Sequence, residues 1–237
     1  MNSNDYLAII PARKGSKGLK NKNIKLFNGK PLIYYPIKAA MKSKFIKKIV
    51  VSTDSKEIAQ ISKKYGAEIP FLRPKKLSGD NIDSYSVVEH CIKFFKKKNF
   101  TFKNFILLEP TSPLTTYSDI DKAIIKLNKN TSAKSIVGIS KTEQQHPKFS
   151  INYNKNSFIK PYLMKNFKTI RRQEINNVYF FDGSLYVSDV DYYLKKKTFY
   201  HKYTLGYEMP KWKSFEVDDK VDFLIMENIM KNKKKFI

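Results

Sequence analysis

Cysteine is nearly absent: Cys91 is the single one in 237 residues. That excludes a disulfide framework and any cysteine-built zinc site. Histidine is almost as scarce, and His90, His146 and His201 stand far apart, at no spacing that a metal site uses. No serine or cysteine nucleophile has a recognisable base beside it, so the chemistry must lean on charge and positioning. Long apolar runs are missing too. Phe105-Ile106-Leu107-Leu108 is typical of what there is, far below the ~20 residues of a membrane-crossing helix. No leader peptide, membrane span or membrane partner is expected, and a cytoplasmic location is the simplest expectation.

Negative charge is in short supply as well. Against 46 Lys and Arg there are 21 Asp and Glu, a net charge of +25. Such an excess ordinarily suggests a polyanionic partner. Here the lysines are spread along the whole chain, with short runs at 96–98, 195–197 and 233–235. That pattern reads as a solvated surface, and no nucleic-acid partner is expected. A basic nucleic-acid-binding protein remains the outside alternative. Within this lysine-rich background only Arg13, Arg73, Arg171 and Arg172 are arginine. Arginine grips phosphate or carboxylate through a planar fork that lysine cannot copy, so these four positions are informative.

What is present suffices for a globular core: 41% of the residues are hydrophobic and 14% aromatic. Leu7-Ala8-Ile9-Ile10 reads as a buried strand stopped by Pro11, and a polar loop follows to Asn23. Pro31 opens a helical stretch to about Lys44. Ile49 to Thr53 is a β-branched strand, and Asp54 or Ser55 caps the next helix, which closes at Gly66. Val87 to Phe95 reads as a helix and Asn104 to Leu108 as a buried strand. Ser118 caps a helix through Leu127, with Asp121 completing a capping box. Ser135 to Ile139 is a further strand. This alternation predicts βαβ units and a mostly parallel sheet flanked by helices. From about 141 to 188 prolines, asparagines and alternating aromatics take over, which predicts a β-rich insertion, a candidate dimerisation arm. A last helix is expected from about Asp219 to Met230. Residues 1–237 are expected to form one domain.

Four segments leave strands with unusual polar chemistry, and in an open α/β sheet ligands bind at the carboxyl edge. The first is Pro11-Ala12-Arg13-Lys14-Gly15-Ser16-Lys17-Gly18 through Lys22-Asn23. Its glycines free backbone amides for an anion, and Arg13, Lys17 and Lys22 supply charge. It matches neither a Walker A loop nor the dinucleotide fingerprint. The second, Phe71-Leu72-Arg73-Pro74, holds a scarce arginine beside a rigid proline, followed by Asp80 and Ser84. The third is Glu109-Pro110-Thr111-Ser112-Pro113, a carboxylate and two hydroxyls stiffened by two prolines. The fourth is Glu216-Val217-Asp218-Asp219. Read as a strand, it puts Glu216 and Asp218 on one face, where hard oxygen ligands suit Mg²⁺. Read as a helix start, Asp218 or Asp219 is simply a cap.

Together these motifs, in order from Ile9 to Phe223, resemble the CMP-sialic acid synthetase (acylneuraminate cytidylyltransferase) family. Phe-Leu-Arg-Pro, Pro-Thr-Ser-Pro-Leu, Arg-Arg-Gln and Glu-Val-Asp-x-x-x-Asp-Phe are the further elements that carry the resemblance. It implies a Rossmann-like domain with a protruding dimerisation element, a homodimer, CTP and an acidic nine-carbon sugar as substrates, and Mg²⁺ as cofactor. By the same resemblance Ala12, Arg13, Gly15, Ser16, Lys22 and Asn23 would bind the nucleotide, with Arg73 and Ser84 lining its site. Arg13, Lys22 and Asp218 would be catalytic, and Asp218 with Glu216 would hold Mg²⁺. Glu109, Arg172, Tyr186, Phe199 and Tyr200 match positions that face the sugar, some across the dimer interface. Two positions depart from the pattern: Glu109 replaces the usual glutamine and Glu216 the usual aspartate. The sugar is therefore left open among sialic, legionaminic and pseudaminic acids, and a KDO-type cytidylyltransferase or a guanylyltransferase remains the alternative.

Overall fold

The computed structural model describes residues 5–143, 145–169 and 171–236, and for Arg172 the backbone alone. Strand β1 (Tyr6–Pro11) is followed by a two-strand hairpin, β2 (Leu26–Phe27) and β3 (Lys30–Pro31), then α1 (Tyr34–Lys42), β4 (Ile46–Ser52) and α2 (Lys56–Lys64). Next come α3 (Ser84–Lys97), β5 (Asn104–Leu107), α4 (Tyr117–Lys129) and β6 (Ser135–Lys141). The rest is a small hairpin, β7 (Ile151–Tyr153) and β8 (Ile159–Pro161), then β9 (Tyr179–Asp189), α5 (Val190–Lys196), β10 (Thr204–Glu208) and α6 (Lys220–Asn232). Six strands form one sheet in the order β10-β6-β9-β5-β1-β4. Every pairing is parallel except those of β9, which runs antiparallel to both β5 and β6.

The sheet is buried on both faces, which is why β1 and β5 are continuous apolar runs. Ala8 and Ile10 point into one layer with Ile37, Ile58, Ile120 and Ile124 of α1, α2 and α4. Leu7 and Ile9 point into the other, against Val88, Cys91 and Phe95 of α3 and Tyr193 of α5. Cys91 is fully buried there, and desolvation pushes its thiol up to about 12, an inert packing residue.

Local chemistry moves several expected boundaries. Pro31 lies in β3 rather than opening a helix, because Asn28 (φ 46°) and Gly29 (φ 77°) make a tight hairpin turn just before it. Helix α4 is capped by Thr116 with Asp119, two residues ahead of the expected Ser118 and Asp121. Asp121 is used elsewhere, accepting from the Ser43 hydroxyl at 2.6 Å, while Asp119 also binds Lys213 at 2.5 Å. The stretch read as an insertion ends earlier: β9 is a central strand of the main sheet, so the inserted element narrows to residues 142–178. Tyr179, Phe180 and Phe181 at the start of β9 are exposed and resemble an arm, whereas Asp182 to Leu185 are buried in the sheet. Residues 214–218 belong to no helix or strand; the Val217 amide donates to Thr111 O at 2.8 Å.

Candidate active site

The loop from 12 to 23 leaves the carboxyl end of β1 and is held down from both sides. The Ala12 amide donates to Ser52 O at 2.9 Å, continuing the pairing with β4. The Lys14 amide donates to the Asp54 carboxylate at 2.9 Å, and buried Asn23 donates its side-chain amide to Arg13 O at 3.0 Å. Gly18 passes so close to the 216–219 segment that a Cβ would lie 2.3 Å from Asp218 O. Only glycine fits that approach. Lys22, whose side chain is 14% exposed, ties the two segments together, donating to Val217 O at 2.8 Å and to the Asp218 carboxylate at 3.2 Å. A loop that sequence alone reads as a basic surface turn is thus fixed at both ends.

Around it lies a cavity of about 430 Å³ whose walls bring together Arg13, Ser16, Lys22, Asn23, Arg73, Ser84, Glu109 and Asp218. Three cations, Arg13, Lys17 and Lys22, face it from the loop. One carboxylate, Asp80, bridges two of them, at 2.6 Å to Arg13 and 2.7 Å to Lys17. Those hydrogen bonds, the one from Lys17 first, hold Asp80 below the usual carboxylate range. Across the cavity Ser84 begins α3, whose N-cap Asp83 accepts from the Ser86 amide at 2.8 Å. The positive end of this 14-residue helix adds to the attraction for an anion. Arg73 is buried at 5% exposure, its amide bonded to Thr53 O at 2.7 Å. Among the described residues its Nε and Nη2 have no partner, which leaves buried donors that a ligand acceptor could complete.

A second, smaller chamber of about 190 Å³ adjoins the first. Asp83, Ser84, Leu107 and Glu109 line both. The chamber's other walls are largely aromatic, including Tyr85, Tyr186, Tyr193, Phe199 and Tyr200. Tyr186 reaches this place because it pairs with Leu107, at the carboxyl end of β5. Its ring lies 5.1 Å from that of Phe199, and its hydroxyl hydrogen-bonds Tyr200. Tyr200 in turn packs on Phe181 at 4.3 Å.

Behind the junction of the two cavities carboxylates accumulate. Burial raises the pKa of Glu109, with Thr111 and Lys22 opposing. Burial also lifts Glu216 to about 7, and Glu109, Asp218 and Asp182 add to the rise. Glu216 lies against Gly183 (φ 67°), where a Cβ would sit 1.3 Å from its Oε1. Among the described residues no three His, Cys, Asp or Glu side chains form a ready metal cage.

The expected site residues divide as follows. Ala12, Gly15 and Glu216 lie beside the cavities rather than on their walls: the Ala12 amide is spent on Ser52 O, Gly15 packs near the Arg13 guanidinium, and Glu216 sits behind Gly183. The Ser16 amide is spent as well, on Lys14 O at 3.1 Å. The Arg172 side chain lies outside the described residues. Asp80, noted in the sequence without a role, bridges two cations, and Asp54, read as a helix cap, anchors the loop. Tyr85, Tyr193 and Lys197 in the aromatic chamber are not among the expected site residues. Asp54 had a usable signal, an acidic residue directly after a strand; Lys197 had none, being one of a lysine run.

Comparisons with known proteins bear on the chain as a whole. A family model described as cytidylyltransferase matches residues 7–231. The chain is 32% identical over 229 residues to the N-acylneuraminate cytidylyltransferase of Escherichia coli, covering 97% of this chain and 53% of that one. It therefore spans about half the length of that relative. It is 33% identical over 225 residues to the CMP-N,N'-diacetyllegionaminic acid synthase of Legionella pneumophila, covering 94% and 95%. Against the pseudaminic acid cytidylyltransferase of Campylobacter jejuni it is 32% identical, covering 86% and 87%. Among solved structures, a CMP:2-keto-3-deoxy-manno-octonic acid synthetase complexed with CTP superposes with a TM-score of 0.69 at 14% identity, over 97% of this chain and 99% of that one. At that identity the likeness shows the fold alone. By the match across nearly its whole length, this chain belongs to the cytidylyltransferase family.

Proposed function

We propose that this chain transfers a cytidylyl group from CTP to an acidic nonulosonic sugar, giving a CMP-sugar and pyrophosphate. The observation that carries the reading is the shared wall at Asp83, Ser84, Leu107 and Glu109. It joins a cation-rich cavity of triphosphate character to an aromatic chamber of sugar size, so that a phosphate and a sugar hydroxyl meet at one boundary. The relatives named above, which act on three different nonulosonic acids, support the substrate class.

In this reading phosphate oxygens replace Asp80 as the partners of Arg13 and Lys17. Lys22 and the start of α3 face the same charge. The two unpartnered N–H groups of Arg73 suit the carbonyl edge of a pyrimidine. The anomeric hydroxyl of the sugar gives up its proton, with Asp218 on the cavity wall as acceptor. Its oxygen bonds to the α-phosphorus as the bond to the β-phosphate oxygen breaks, and the cations stabilise the charge that leaves with pyrophosphate. Mg²⁺ belongs to the same proposal: Asp218 on the cavity wall, with Glu216 behind it, would offer hard oxygen ligands, and a cation there would relieve the repulsion between them. Two carboxylates plus substrate phosphates are what this ion usually takes. Bound there, it would neutralise phosphate charge.

A homodimer belongs to the same proposal. The element at 142–178 exposes Tyr153, Phe158, Tyr162, Leu163 and Phe167 at 60–72%, an apolar surface of the kind that marks an interface. The deciding experiment is pyrophosphate release from each of the four nucleoside triphosphates with Mg²⁺ and a panel of nonulosonic acids. Release with CTP and an acidic nine-carbon sugar is expected. Release only with another nucleotide, or none with any sugar, would refute the reading.

A further inference from the structure

Of the two carboxylates on the wall common to both cavities, Asp83 and Glu109, Glu109 is the less satisfied. A carboxylate has lone pairs for about four hydrogen bonds. Among the described residues Glu109 receives one, from the Thr111 hydroxyl at 3.4 Å, long for an O–H donor. Its neighbours leave it so. Lys22 directs two of its three N–H groups to Val217 O and Asp218 and, among the described residues, makes no hydrogen bond to Glu109, while the Tyr186 hydroxyl turns to Tyr200. Asp83, the other carboxylate on the common wall, already accepts from the Ser86 amide. Nor can Glu109 relax away, because Pro110 follows it and the Ser112 hydroxyl pins the loop to Gly183 O at 3.1 Å. Its remaining acceptor capacity therefore faces the place where the sugar enters.

We infer that Glu109 sets the sugar specificity, requiring the substituent that lies against it to be a hydrogen-bond donor, best a cationic nitrogen such as a protonated amine or amidine, and disfavouring a carbonyl oxygen. Glutamine, the same in shape, offers an N–H₂ group that would donate to that carbonyl. A carboxylate offers two oxygens and no donor, so facing a carbonyl it must either stay unpaired in a buried place or take up a proton, a cost that a donor, above all a cationic one, spares it. Sites built to hydrogen-bond one group discriminate sharply against the analogue that lacks it. This inference rests on the reaction proposed above and specifies its substrate.

The test is pyrophosphate release by wild type, Glu109→Gln and Glu109→Asp with three acidic 2-keto nine-carbon sugars. One carries an amidine or free amine, one an acetamide and one only hydroxyls. Wild type is expected to favour the cationic sugar by about tenfold or more in kcat/KM. Glu109→Gln should lose that preference while its KM for CTP stays within about twofold, and Glu109→Asp should keep the preference at a lower rate. An unchanged ranking in Glu109→Gln would overturn the inference, as would an equal slowing with all three sugars. If wild type releases no pyrophosphate with any of them, the proposed reaction itself fails and this inference goes with it.

Discussion

Lys22 is the residue whose position says most about chemistry. A lysine at 14% side-chain exposure that ties its own loop to the 217–218 segment is a preorganised cation, where a surface lysine would be a mobile one. Replacing Lys22 or Arg13 with alanine is expected to lower turnover by roughly 10²-fold or more, with far-UV circular dichroism unchanged. Near-normal turnover in both variants would remove them from the mechanism. Glu216 makes a second prediction at this scale. Its folded pKa of about 7 lies above the ordinary glutamate value of 4.5, so the folded state holds its proton more tightly than the unfolded chain. The penalty is absent below about pH 4.5, grows as pH rises, and is complete above about pH 7. In chelator, Glu216→Gln should therefore be more stable than wild type at pH 8, by on the order of 2 kcal/mol or roughly 4–8 °C in Tm, and no different at pH 4. Added Mg²⁺ should narrow the gap by stabilising wild type. Parallel melting curves at both pH values would show that Glu216 carries no such penalty.

Among the elements, the start of α4 shows what sequence can and cannot settle. Thr116-Tyr117-Ser118-Asp119 and Ser118-Asp119-Ile120-Asp121 are both plausible capping boxes two residues apart, and local rules rank them equally. Tertiary contacts decide: Lys213, 94 residues away, takes Asp119, and Ser43 takes Asp121. The Lys213–Asp119 pair is buried on both sides, with 9% and 8% of the side chains exposed. Asp119→Ala should cost about 3–5 kcal/mol in urea unfolding, since it removes a cap and strands a buried ammonium. Lys213→Met with Asp119→Ala should cost clearly less than the sum of the single changes; simple additivity would mean the pair is not coupled. The main strands and most helices are legible because apolar runs and caps are local signals. Strand β9 is not: its first three residues are exposed aromatics, and only pairing with β5 and β6 reveals a central strand. The candidate site is legible as four separate motifs. That Gly18 must meet Asp218, and that Lys22 joins its loop to residue 217, is set by folding across almost 200 residues.

For the molecule as a whole, the sheet gathers loops from β1, β4 and β5 at one carboxyl edge and leaves an aromatic element at 142–178 uncovered. If that element is a dimer contact, Phe158→Glu with Tyr162→Glu should give monomers in analytical ultracentrifugation, with the sheet intact by circular dichroism. Unchanged sedimentation would place the interface elsewhere or nowhere. The central claim is that one edge of the sheet holds a triphosphate between the loop at 12–23 and the start of α3. A crystal structure with CTP and Mg²⁺ tests it most directly. Phosphate oxygens are expected on Arg13, Lys17 and Lys22, with Asp80 displaced from the first two and the base against Arg73. A nucleotide bound with residues 13–23 far from every phosphate would contradict it.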